Sequence, residues 1–537
     1  MRLVGLLLAG ASLVAIPDTA RACGGFFCNQ PQQPADLPVA QTGENVLFAM
    51  DPLPSGQHRL EAHIQIFYTG PADRFSWVVP VDAAPTLDIG SNAVFAVLDA
   101  ATRPKLMVTR SREGTCSDDQ RSFESANGSA KADAGTGAGS GGGGVEVSFR
   151  GNIGPFDAVV VKADEPGRLK AWLAENMYYL SDEGSRLIDA YVLEQKYFVA
   201  LKLLPGKGVD EIQPIVLRFE GPGPCVPLRL TAVASLPDLR VNLWVLAGRR
   251  VVPENYYEIT INETKLDWLG GGQNYQDLLK SAANEAGGNA FAVEYVGTPS
   301  LVGPFLRPGF TAAALDGVTS LAAAQQALSL FGLQGDAEIN QVLQGYFEGN
   351  QFPGMTLSAV LEARIVKPRR DAEALFRSHQ KLTRLVTFIS PEEMKLDPTF
   401  IESFTLPDVS NVRTAQAFLQ CGAREYSSCT APMRVDLADG RRIFYKAPAA
   451  GWCMQPTPDD RGVLDQMPSL ERGWKREATG EGVVRFDNTA AIAAKLAEQE
   501  RRVVTSDCSC ALGGRAAAPP LVTLAALALL VLRRRRR

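Results

Sequence analysis

The chain begins and ends with an apolar segment, and these two segments determine which residues are left to build a fold. At the amino end, Arg2 is followed by an apolar run from Leu3 to Ile16 and by the triplet Ala20-Arg21-Ala22. A charged start, an apolar middle and small residues before a cleavage point are the three parts of a secretory signal. The sequence therefore predicts a cleavable signal over residues 1–22. Lipidation of Cys23, the first mature residue, is the alternative to plain cleavage.

The carboxyl end carries the second apolar stretch, from Ala516 to Leu532, followed by five arginines. About 17 residues reach the short end of the length that a transmembrane helix needs. Arginines behind such a segment stay on the cytoplasmic side. The sequence therefore predicts a C-terminal membrane segment, through which the protein contacts a membrane.

The part of the chain between these two segments is acidic. The formal net charge of the whole chain is −5; the signal accounts for a net +1 and the residues from Cys508 onward for a net +6, which leaves −12 for the rest. An acidic surface repels the phosphates of nucleic acids, and no stripe of Lys and Arg occurs elsewhere. We therefore expect no nucleic-acid partner.

Cysteine usage fits an oxidising compartment, because nine cysteines are spread over the chain. The close pairs Cys23/Cys28 and Cys421/Cys429 are the predicted disulfides, and the other three cysteines of the body stay unassigned. Zinc is the alternative, but the chain has no two CxxC knuckles and only three histidines. We expect no bound metal and no cofactor.

Composition and hydrophobic periodicity divide the chain into seven parts. They are the signal (1–22), an N-terminal β-rich part (23–116), a Gly-, Ser- and Ala-rich insert (117–144), a central α+β domain (145–300), a C-terminal part (301–450), a tail and stalk (451–507) and the Cys motif with the membrane segment and Arg cluster (508–537). The insert holds too few apolar side chains to form a core, so we expect a flexible linker there.

Hydrophobic periodicity predicts both strands and helices. Residues from Ala62 to Tyr68 alternate in polarity, as a half-buried strand does. The pattern from Asn92 to Ala101 predicts a short helix. Asp439-Gly440 lies between two short predicted strands and predicts a hairpin turn. No internal repeat of about twenty to fifty residues occurs. The predicted fold class is α+β, with mixed, largely antiparallel sheets and short helices.

Four motifs give the chain a family likeness. They are Cys23-Gly-Gly-Phe-Phe-Cys28, Phe75-Ser-Trp-Val-Val-Pro-Val81, Ala171-Trp-Leu-Ala-Glu-Asn-Met-Tyr178, and Leu382-Thr-Arg-Leu385 before Ser390-Pro-Glu-Glu-Met394. Together they resemble the secreted bacterial family catalogued as domain of unknown function 2330. The resemblance implies an exported envelope protein of uncharacterised role, and it carries no catalytic residue over to this chain.

The Cys motif, apolar segment and arginine cluster at the carboxyl end resemble the sorting signal of myxobacterial surface proteins. This resemblance implies a sorting peptidase as a partner, with processing near Cys508 or Cys510 and anchoring through the retained cysteine. A tail-anchoring helix that stays uncut is the alternative. In either case we expect the protein in the cell envelope, anchored at the outer membrane or the cell surface.

The sequence presents no set of residues that we identify as catalytic. A cysteine nucleophile needs a histidine partner, but His58 and His63 lie five positions apart on one strand and so point to opposite faces. A glycosidase needs two facing carboxylates. Five acids are candidates, although they fit better as solvated or capping residues: Glu61, Asp182, Glu183, Glu392 and Glu393.

The aromatic residues fit core positions. We expect Phe75 and Trp77 to share one face of a strand under a helix, with a ligand platform at Trp77 as the alternative. Trp172, Tyr178 and Tyr179 are expected to fill a core between a helix and a sheet.

These observations favour a non-catalytic binding or envelope-structural role with an unknown ligand. The alternative is a carboxylate-dependent hydrolase that acts on envelope or extracellular polysaccharide. A hydrolase needs a concave pocket in which two acids converge and one of them has a perturbed environment. A binding protein lacks such a pair and can expose an apolar or aromatic patch.

Overall fold

The computed structural model of the protein describes most of the chain between residues 40 and 507. The described stretches are residues 40–71, 75–114, 146–178, 180–208, 211–349, 351–421, 432–445 and 458–507. The predicted signal, the whole insert and the C-terminal membrane segment lie outside them. So do five cysteines of the disulfide and anchoring predictions, namely Cys23, Cys28, Cys429, Cys508 and Cys510; the backbone of Cys421 is described but its side chain is not.

Twenty strands are described. The first ten are β1 (Ala40–Pro52), β2 (His58–Thr69), β3 (Ser76–Val81), β4 (Thr86–Ile89), β5 (Lys105–Gly114), β6 (Glu146–Ile153), β7 (Phe156–Lys162), β8 (Tyr197–Leu203), β9 (Ile215–Gly221) and β10 (Ser235–Ala247). The others are β11 (Arg250–Pro253), β12 (Tyr257–Ile261), β13 (Ala290–Gly297), β14 (Lys381–Ile389), β15 (Phe400–Ser403), β16 (Val412–Cys421), β17 (Met433–Leu437), β18 (Arg442–Tyr445), β19 (Leu470–Lys475) and β20 (Val483–Asp487).

Eleven α-helices are described, and most are short. They are α1 (Asn92–Thr102), α2 (Pro166–Glu175), α3 (Asp182–Leu193), α4 (Leu228–Thr231), α5 (Tyr275–Glu285), α6 (Leu321–Ser329), α7 (Ala337–Phe347), α8 (Leu357–Leu361), α9 (Lys367–Ser378), α10 (Pro458–Asp465) and α11 (Thr489–Asp507). Among these helices, none has both the length and the hydropathy that crossing a bilayer requires.

The largest sheet has ten described strands in the order β20-β19-β12-β13-β14-β10-β1-β2-β9-β4. Most neighbours are antiparallel, but β1 pairs with β10, and β12 with β13, in parallel. Two four-stranded sheets, β3-β8-β7-β6 and β18-β17-β16-β5, and the pair β11-β15 complete the sheets. The fold class is therefore α+β, with mixed sheets and short helices. The ten-stranded sheet takes strands from four of the predicted parts of the chain.

One face of the ten-stranded sheet packs against the sheet β3-β8-β7-β6. In β10, alternate side chains point to this face, and Leu239, Val241 and Leu243 are fully buried there. Each such aliphatic side chain contributes about 1.5–3 kcal/mol to folding. Phe75 and Trp77 belong to the same core, so Trp77 packs between two sheets instead of under a helix and offers no open platform.

The other face of the sheet β3-β8-β7-β6 is covered by α2 and α3. Trp172 and Tyr178 lie in this layer, with their rings stacked and the centroids 6.1 Å apart. This is the helix–sheet core that the sequence predicts for these two residues. Tyr179 lies outside the described residues.

Between β13 and β14 the chain forms a helical insertion, which we define as α6 to α9. The insertion has its own core, to which Leu328, Ile339, Leu343 and Leu361 contribute. Both of its ends lead into neighbouring strands of the ten-stranded sheet. The insertion is therefore anchored to the sheet at both ends.

The last described helix, α11, lies in the part of the chain that the sequence assigns to a tail and stalk (451–507). Ile492 is buried, and the Gln499 side chain pairs with both backbone groups of Phe444, accepting its N–H at 3.1 Å and donating to its C=O at 2.8 Å. The helix is thus docked on the body at least as far as Gln499. The predicted turn at Asp439-Gly440 joins β17 to β18, with Gly440 at φ 86°.

Candidate functional site

The second face of the ten-stranded sheet carries polar side chains. Strand register places Gln65 on β2, Asn45 on β1 and Asn242 on β10 opposite one another. Their amides form a directional chain: Asn242 donates to Asn45 (2.7 Å), Asn45 to Gln65 (2.6 Å), and Gln65 to Asn92 on α1 (2.6 Å). At the start of this row of amides, the Oδ1 atom of Asn242 is buried and accepts no hydrogen bond from any described residue.

A second row lies beside the amides. Phe67 on β2, Gly43 on β1 and Arg240 on β10 are opposite one another. Gly43 has no side chain, and a Cβ atom there would stand 3.1 Å from the Phe67 ring. The glycine thus lets the ring lie close to the sheet, with 44% of Phe67 exposed to solvent.

Helix α1 packs above these rows and leaves a cleft with two parts. The first part has a volume of about 550 Å³ and is lined by the amides and by Phe67, Phe95 and Trp244. The second part has a volume of about 610 Å³ and extends toward β13, β14 and the amino end of α5. Asp99 and Arg240 line both parts, so we treat the two parts as one site and call it the cleft.

Arg384 on β14 links the walls of the cleft. Its Nη2 donates to the Asp99 carboxylate at 2.7 Å, and its Nε lies 2.7 Å from the carboxylate of Glu294 without hydrogen-bond geometry. Its guanidinium also lies 5.0 Å from the ring centroid of Trp244. Two acids from different elements, α1 and β13, therefore meet the same arginine.

Glu294 reaches the cleft because of an irregularity in its strand. The register of β13 against β14 shifts between Val293 and Tyr295, so Glu294 is the extra residue of a β-bulge. Its side chain is 1% exposed, and neither carboxylate oxygen accepts a hydrogen bond from the described residues. Burial raises the pKa of Glu294, although the charge of Arg384 acts against the shift.

The amino end of α5 closes the second part of the cleft. Tyr275 is the first residue of the helix, and its buried hydroxyl lies beside Glu294 outside hydrogen-bond geometry. Burial, and then the charge of Glu294, raises the pKa of Tyr275 well above its usual value. The preceding loop contains Gly272 at φ 77°, where a Cβ atom would stand 2.7 Å from the Leu106 side chain. A residue other than glycine is therefore disfavoured at that position.

The helical insertion holds α1 at its amino end. The Glu338 carboxylate accepts hydrogen bonds from the Ser91 hydroxyl and from the backbone N–H of Asn92. Arg369 donates to Glu338 at 2.8 Å and to Ser91 at 3.2 Å. An acid near a helix amino end and a cation near its carboxyl end both stabilise the helix. The first and last turns of α1 contain neither, so Glu338 and Arg384 supply them.

Glu61, one of the acids that the sequence singles out, lies on the polar face but does not line the cleft. It accepts hydrogen bonds from His63 (2.9 Å) and Arg218 (2.7 Å). Burial alone would raise the pKa of Glu61, but these two partners lower it to about 2. His58 is on the same strand and contacts the backbone oxygen of Pro222, so the two histidines do not form a pair.

The other four singled-out acids are at helix starts. Asp182 and Glu183 occupy the first turn of α3. Glu392 and Glu393 occupy a short 3-10 turn, where the Glu393 carboxylate accepts the backbone N–H of Ser390 at 2.8 Å. These positions match the capping interpretation of the sequence.

The residues that line the cleft escaped the sequence reasoning. Arg240 and Asn242 alternate with apolar residues in β10, and Arg384 stands in the apolar strand β14. Arg384 is part of the motif Leu382-Thr-Arg-Leu385, which contributes to the family likeness. A charge inside an otherwise apolar strand was the available signal. Glu294 is likewise the one charged residue of the apolar strand β13, but the bulge that turns its side chain toward the cleft is not visible in the sequence.

The described residues give little evidence for a metal site or for a reactive cysteine. Within it, no cluster of three or more His, Cys, Asp or Glu side chains has an arrangement that could hold a metal ion. Cys225 forms no disulfide with a described residue. Burial, and then the charge of Asp397, raises the pKa of the Cys225 thiol to about 12, so this cysteine is a poor nucleophile at neutral pH.

Comparison with known proteins relates the chain to a family. The model of family DUF2330, described as an uncharacterized protein conserved in bacteria, matches residues 18–326. No curated protein matches the chain, and no solved structure does. The matched range contains β1, β2, β10 and α1 of the cleft, whereas Arg384, Glu338 and Arg369 follow it.

Proposed function

Because the chain belongs to the bacterial family DUF2330, whose description names no role, we propose that it is an exported, surface-anchored envelope protein whose cleft binds a small hydroxyl-bearing molecule without transforming it. Export and anchoring are supported by the two terminal apolar segments and the Cys508/Cys510 motif. Binding is supported above all by the chain of amides, which starts at the buried, unpaired Oδ1 of Asn242 on the wall of the cleft.

The amides suit a ligand with hydroxyl groups. A side-chain amide offers both hydrogen-bond donors and an acceptor, and a hydroxyl can hydrogen bond to either. A buried acceptor without a partner costs about 1–3 kcal/mol, and a ligand hydroxyl that donates to Asn242 removes this cost. Small-molecule sites typically combine apolar walls with a few placed polar groups, and the cleft has both.

The aromatic wall offers a surface for stacking. The rings of Phe95 and Trp244 pack against each other with centroids 5.9 Å apart and are buried. Phe67 is the more accessible ring of the three, since it is 44% exposed. A ligand in the first part of the cleft would therefore lie against Phe67 and hydrogen bond to the amides beside it.

A pair of matched variants tests this proposal. Phe67→Ala should weaken binding of a hydroxylated ligand by about tenfold, which corresponds to about 1.4 kcal/mol, because it removes the stacking surface. Phe404→Ala, which removes a phenylalanine outside the cleft that is even more exposed (57%), should leave binding unchanged. Affinities for a panel of mono- and oligosaccharides are measured by calorimetry on the full chain. Equal affinities in the two variants would show that the ligand does not bind in the cleft.

A hydrolase is the second candidate, and one observation favours it. Asp99 and Glu294 converge on the cleft, and burial raises the pKa of Glu294 as a general acid requires. However, the guanidinium of Arg384 lies between the two carboxylates and contacts both. A scissile bond would need that position, so the arrangement favours binding over hydrolysis.

Product formation distinguishes hydrolysis from binding without chemical change. The full chain is incubated with envelope polysaccharides, and new reducing ends are measured. We expect none. Release of reducing ends by the wild type that is lost in Glu294→Gln but kept in Glu402→Gln, an acid outside the cleft, would replace the binding role by hydrolysis.

Export and anchoring are tested on protein from the native envelope. An intact-mass measurement reports removal of residues 1–22, removal of the terminal arginines and addition of lipid at the same time. We expect the signal and the arginines to be absent. A full-length mass in the soluble cytosolic fraction would contradict this part of the proposal.

A further inference from the structure

Arg240 is a charged side chain of the cleft that the rest of the described protein leaves without a partner. Its Nε is buried and makes no hydrogen bond, and no described carboxylate forms an ion pair with it. Two acids attract it electrostatically, Asp99 and Glu294, but both form their ion pairs with Arg384. Arg240 therefore lacks a counter-charge of its own.

The surroundings of Arg240 penalise its charge. Burial, and then repulsion by Arg384, lowers the pKa of Arg240 in spite of the attraction by Glu294. An arginine nevertheless stays charged in proteins. Burial also raises the pKa of Glu294, which weakens that acid as a counter-ion. The positive charge of Arg240 is therefore balanced best by an anion that comes from outside the chain.

The second part of the cleft is locally basic in a chain with a net charge of −5. Four cationic side chains line it against three acidic ones. Arg103 and Lys105 are exposed at its rim. A concave site with an excess of one charge raises the local concentration of ligands of the opposite charge, so this end of the cleft favours anions.

The amino end of α5 adds to this preference. Free backbone N–H groups at a helix start attract negative charge. The Asn274 side chain does not cap this helix, because it accepts the N–H of Asp267 and donates to the C=O of Lys265. Asp277, in the first turn, is 82% exposed and lies near Lys280, so its charge points largely into solvent.

The unpaired acceptor of Asn242 sets the second requirement for a ligand. Asn242 and Arg240 are two positions apart on β10, which puts their Cα atoms about 7 Å apart on one face of the sheet. Asn242 is 9% exposed and its Oδ1 has no described partner. The cleft thus presents an unpaired cationic donor and an unpaired acceptor at a fixed spacing.

We infer that the ligand of the cleft carries an anionic group, a carboxylate or a phosphate, that accepts hydrogen bonds from Arg240, together with a nearby hydroxyl that donates to Asn242. Polyhydroxylated acids such as sugar acids and sugar phosphates have this chemistry. The inference rests on the proposed function, because it specifies the ligand of the same cleft.

The test uses the full chain and three matched series of probes in gluco, galacto and manno configuration. Each series contains the neutral hexose, the hexuronate and the hexose 1-phosphate, and inorganic phosphate is added as a separate probe. We expect at least one anionic member to bind tenfold or more tightly than its neutral counterpart, with an affinity that falls as salt is raised. The uronate and phosphate arms distinguish the two sources of the anionic group.

Variants assign the preference to Arg240. Arg240→Gln should reduce anionic probes to the affinity of the neutral ones, while Arg307→Gln, an exposed arginine outside the cleft, should change nothing. Arg240→Lys keeps the charge and should retain part of the preference, and it serves as the second variant if the glutamine variant fails to fold.

The outcomes separate this inference from the proposed function. If neutral and anionic probes bind equally to the wild type and binding still depends on Phe67, the inference is wrong and the proposed function stands. If Arg240→Gln keeps the anion preference, the inference is wrong as well. If no probe of any series binds, both are rejected.

Discussion

A buried arginine lies at each end of α1, and the two arginines differ in how completely their surroundings are hydrogen-bonded. At the amino end, Arg369 is 1% exposed, and each of its nitrogens donates to an oxygen of Asp336, Glu338 or Ser91. At the carboxyl end, Arg384 is equally buried, but its Nε and both oxygens of Glu294 lack hydrogen-bond geometry. The first cluster is complete within the protein, and the second is not.

This difference separates a structural role from a binding role. A complete buried network stabilises the fold, and removal of one member leaves uncompensated charge. An incomplete network costs stability and persists where a ligand or a reaction makes use of it. We therefore assign the Arg369 cluster at the amino end of α1 to holding the helix in place and the Arg384 cluster at its carboxyl end to the cleft.

The largest expected effect is at the amino end. Arg369→Met should lower the free energy of unfolding by about 3–5 kcal/mol, because it leaves Asp336 and Glu338 partly buried without their cation. Denaturant unfolding measures this change. The neighbouring Arg370, whose side chain is 55% exposed, is the control, and Arg370→Met should cost less than about 1 kcal/mol. Similar losses in both variants would contradict the comparison.

A smaller effect is expected where the cleft joins α1. The Thr102 hydroxyl accepts hydrogen bonds from Trp244 (3.0 Å) and Arg384 (3.1 Å). Thr102→Val keeps the shape but leaves these donors without that partner, so it should cost about 1–3 kcal/mol of unfolding free energy. Thr387→Val is the control, since the Thr387 hydroxyl is buried and donates to the Phe388 carbonyl at the longer distance of 3.3 Å. It should cost clearly less.

Glu294 should make stability depend on pH. Its folded pKa is raised above the ordinary value of 4.5, so the folded state retains a proton that the unfolded state releases. The stability from this proton is fully present below pH 4.5 and is lost as pH rises toward the folded pKa, by at most about 1.4 kcal/mol per pH unit. Unfolding of the wild type and Glu294→Gln from pH 4 upward measures the effect. The variant should gain relative to the wild type as pH rises, and parallel curves would be the contrary result.

The smallest effect on stability is expected at Arg240. Because Arg240 pairs with no described carboxylate, Arg240→Gln should change the unfolding free energy by less than about 1 kcal/mol or raise it. The same variant should abolish the preference for anionic ligands. A loss as large as that of Arg369→Met would show that Arg240 has a structural role, and it would end the contrast between the two ends of α1.

The predicted elements that rely on local pattern match the structure. Asn92 begins α1, and the alternating residues from Ala62 to Tyr68 lie in β2. The turn at Asp439-Gly440 also forms where it is predicted. These features depend on neighbours in sequence, through periodicity, capping and turn chemistry, and so a single sequence contains the information needed.

The cleft depends on pairings that cross the whole chain. Glu338 caps a helix that starts 246 positions earlier in the sequence, and Arg384 bonds Asp99 across 285 positions. The register of β2, β1 and β10 brings the amides together, and a bulge turns Glu294 toward Arg384. Strand order, register and bulges are decided by global packing, which no local pattern encodes.

By itself, the sequence determined the class of the fold, many of its elements and the membership in a bacterial family, because periodicity and motifs are local properties of the chain. The sequence also carries the terminal segments on which the expectation of export rests. Only the tertiary structure decided which polar residues share a cleft and which of them are left unpaired. The physical reason is that a charge acquires its environment from packing, and the elements that pack around Arg240 and Arg384 come from distant parts of the chain.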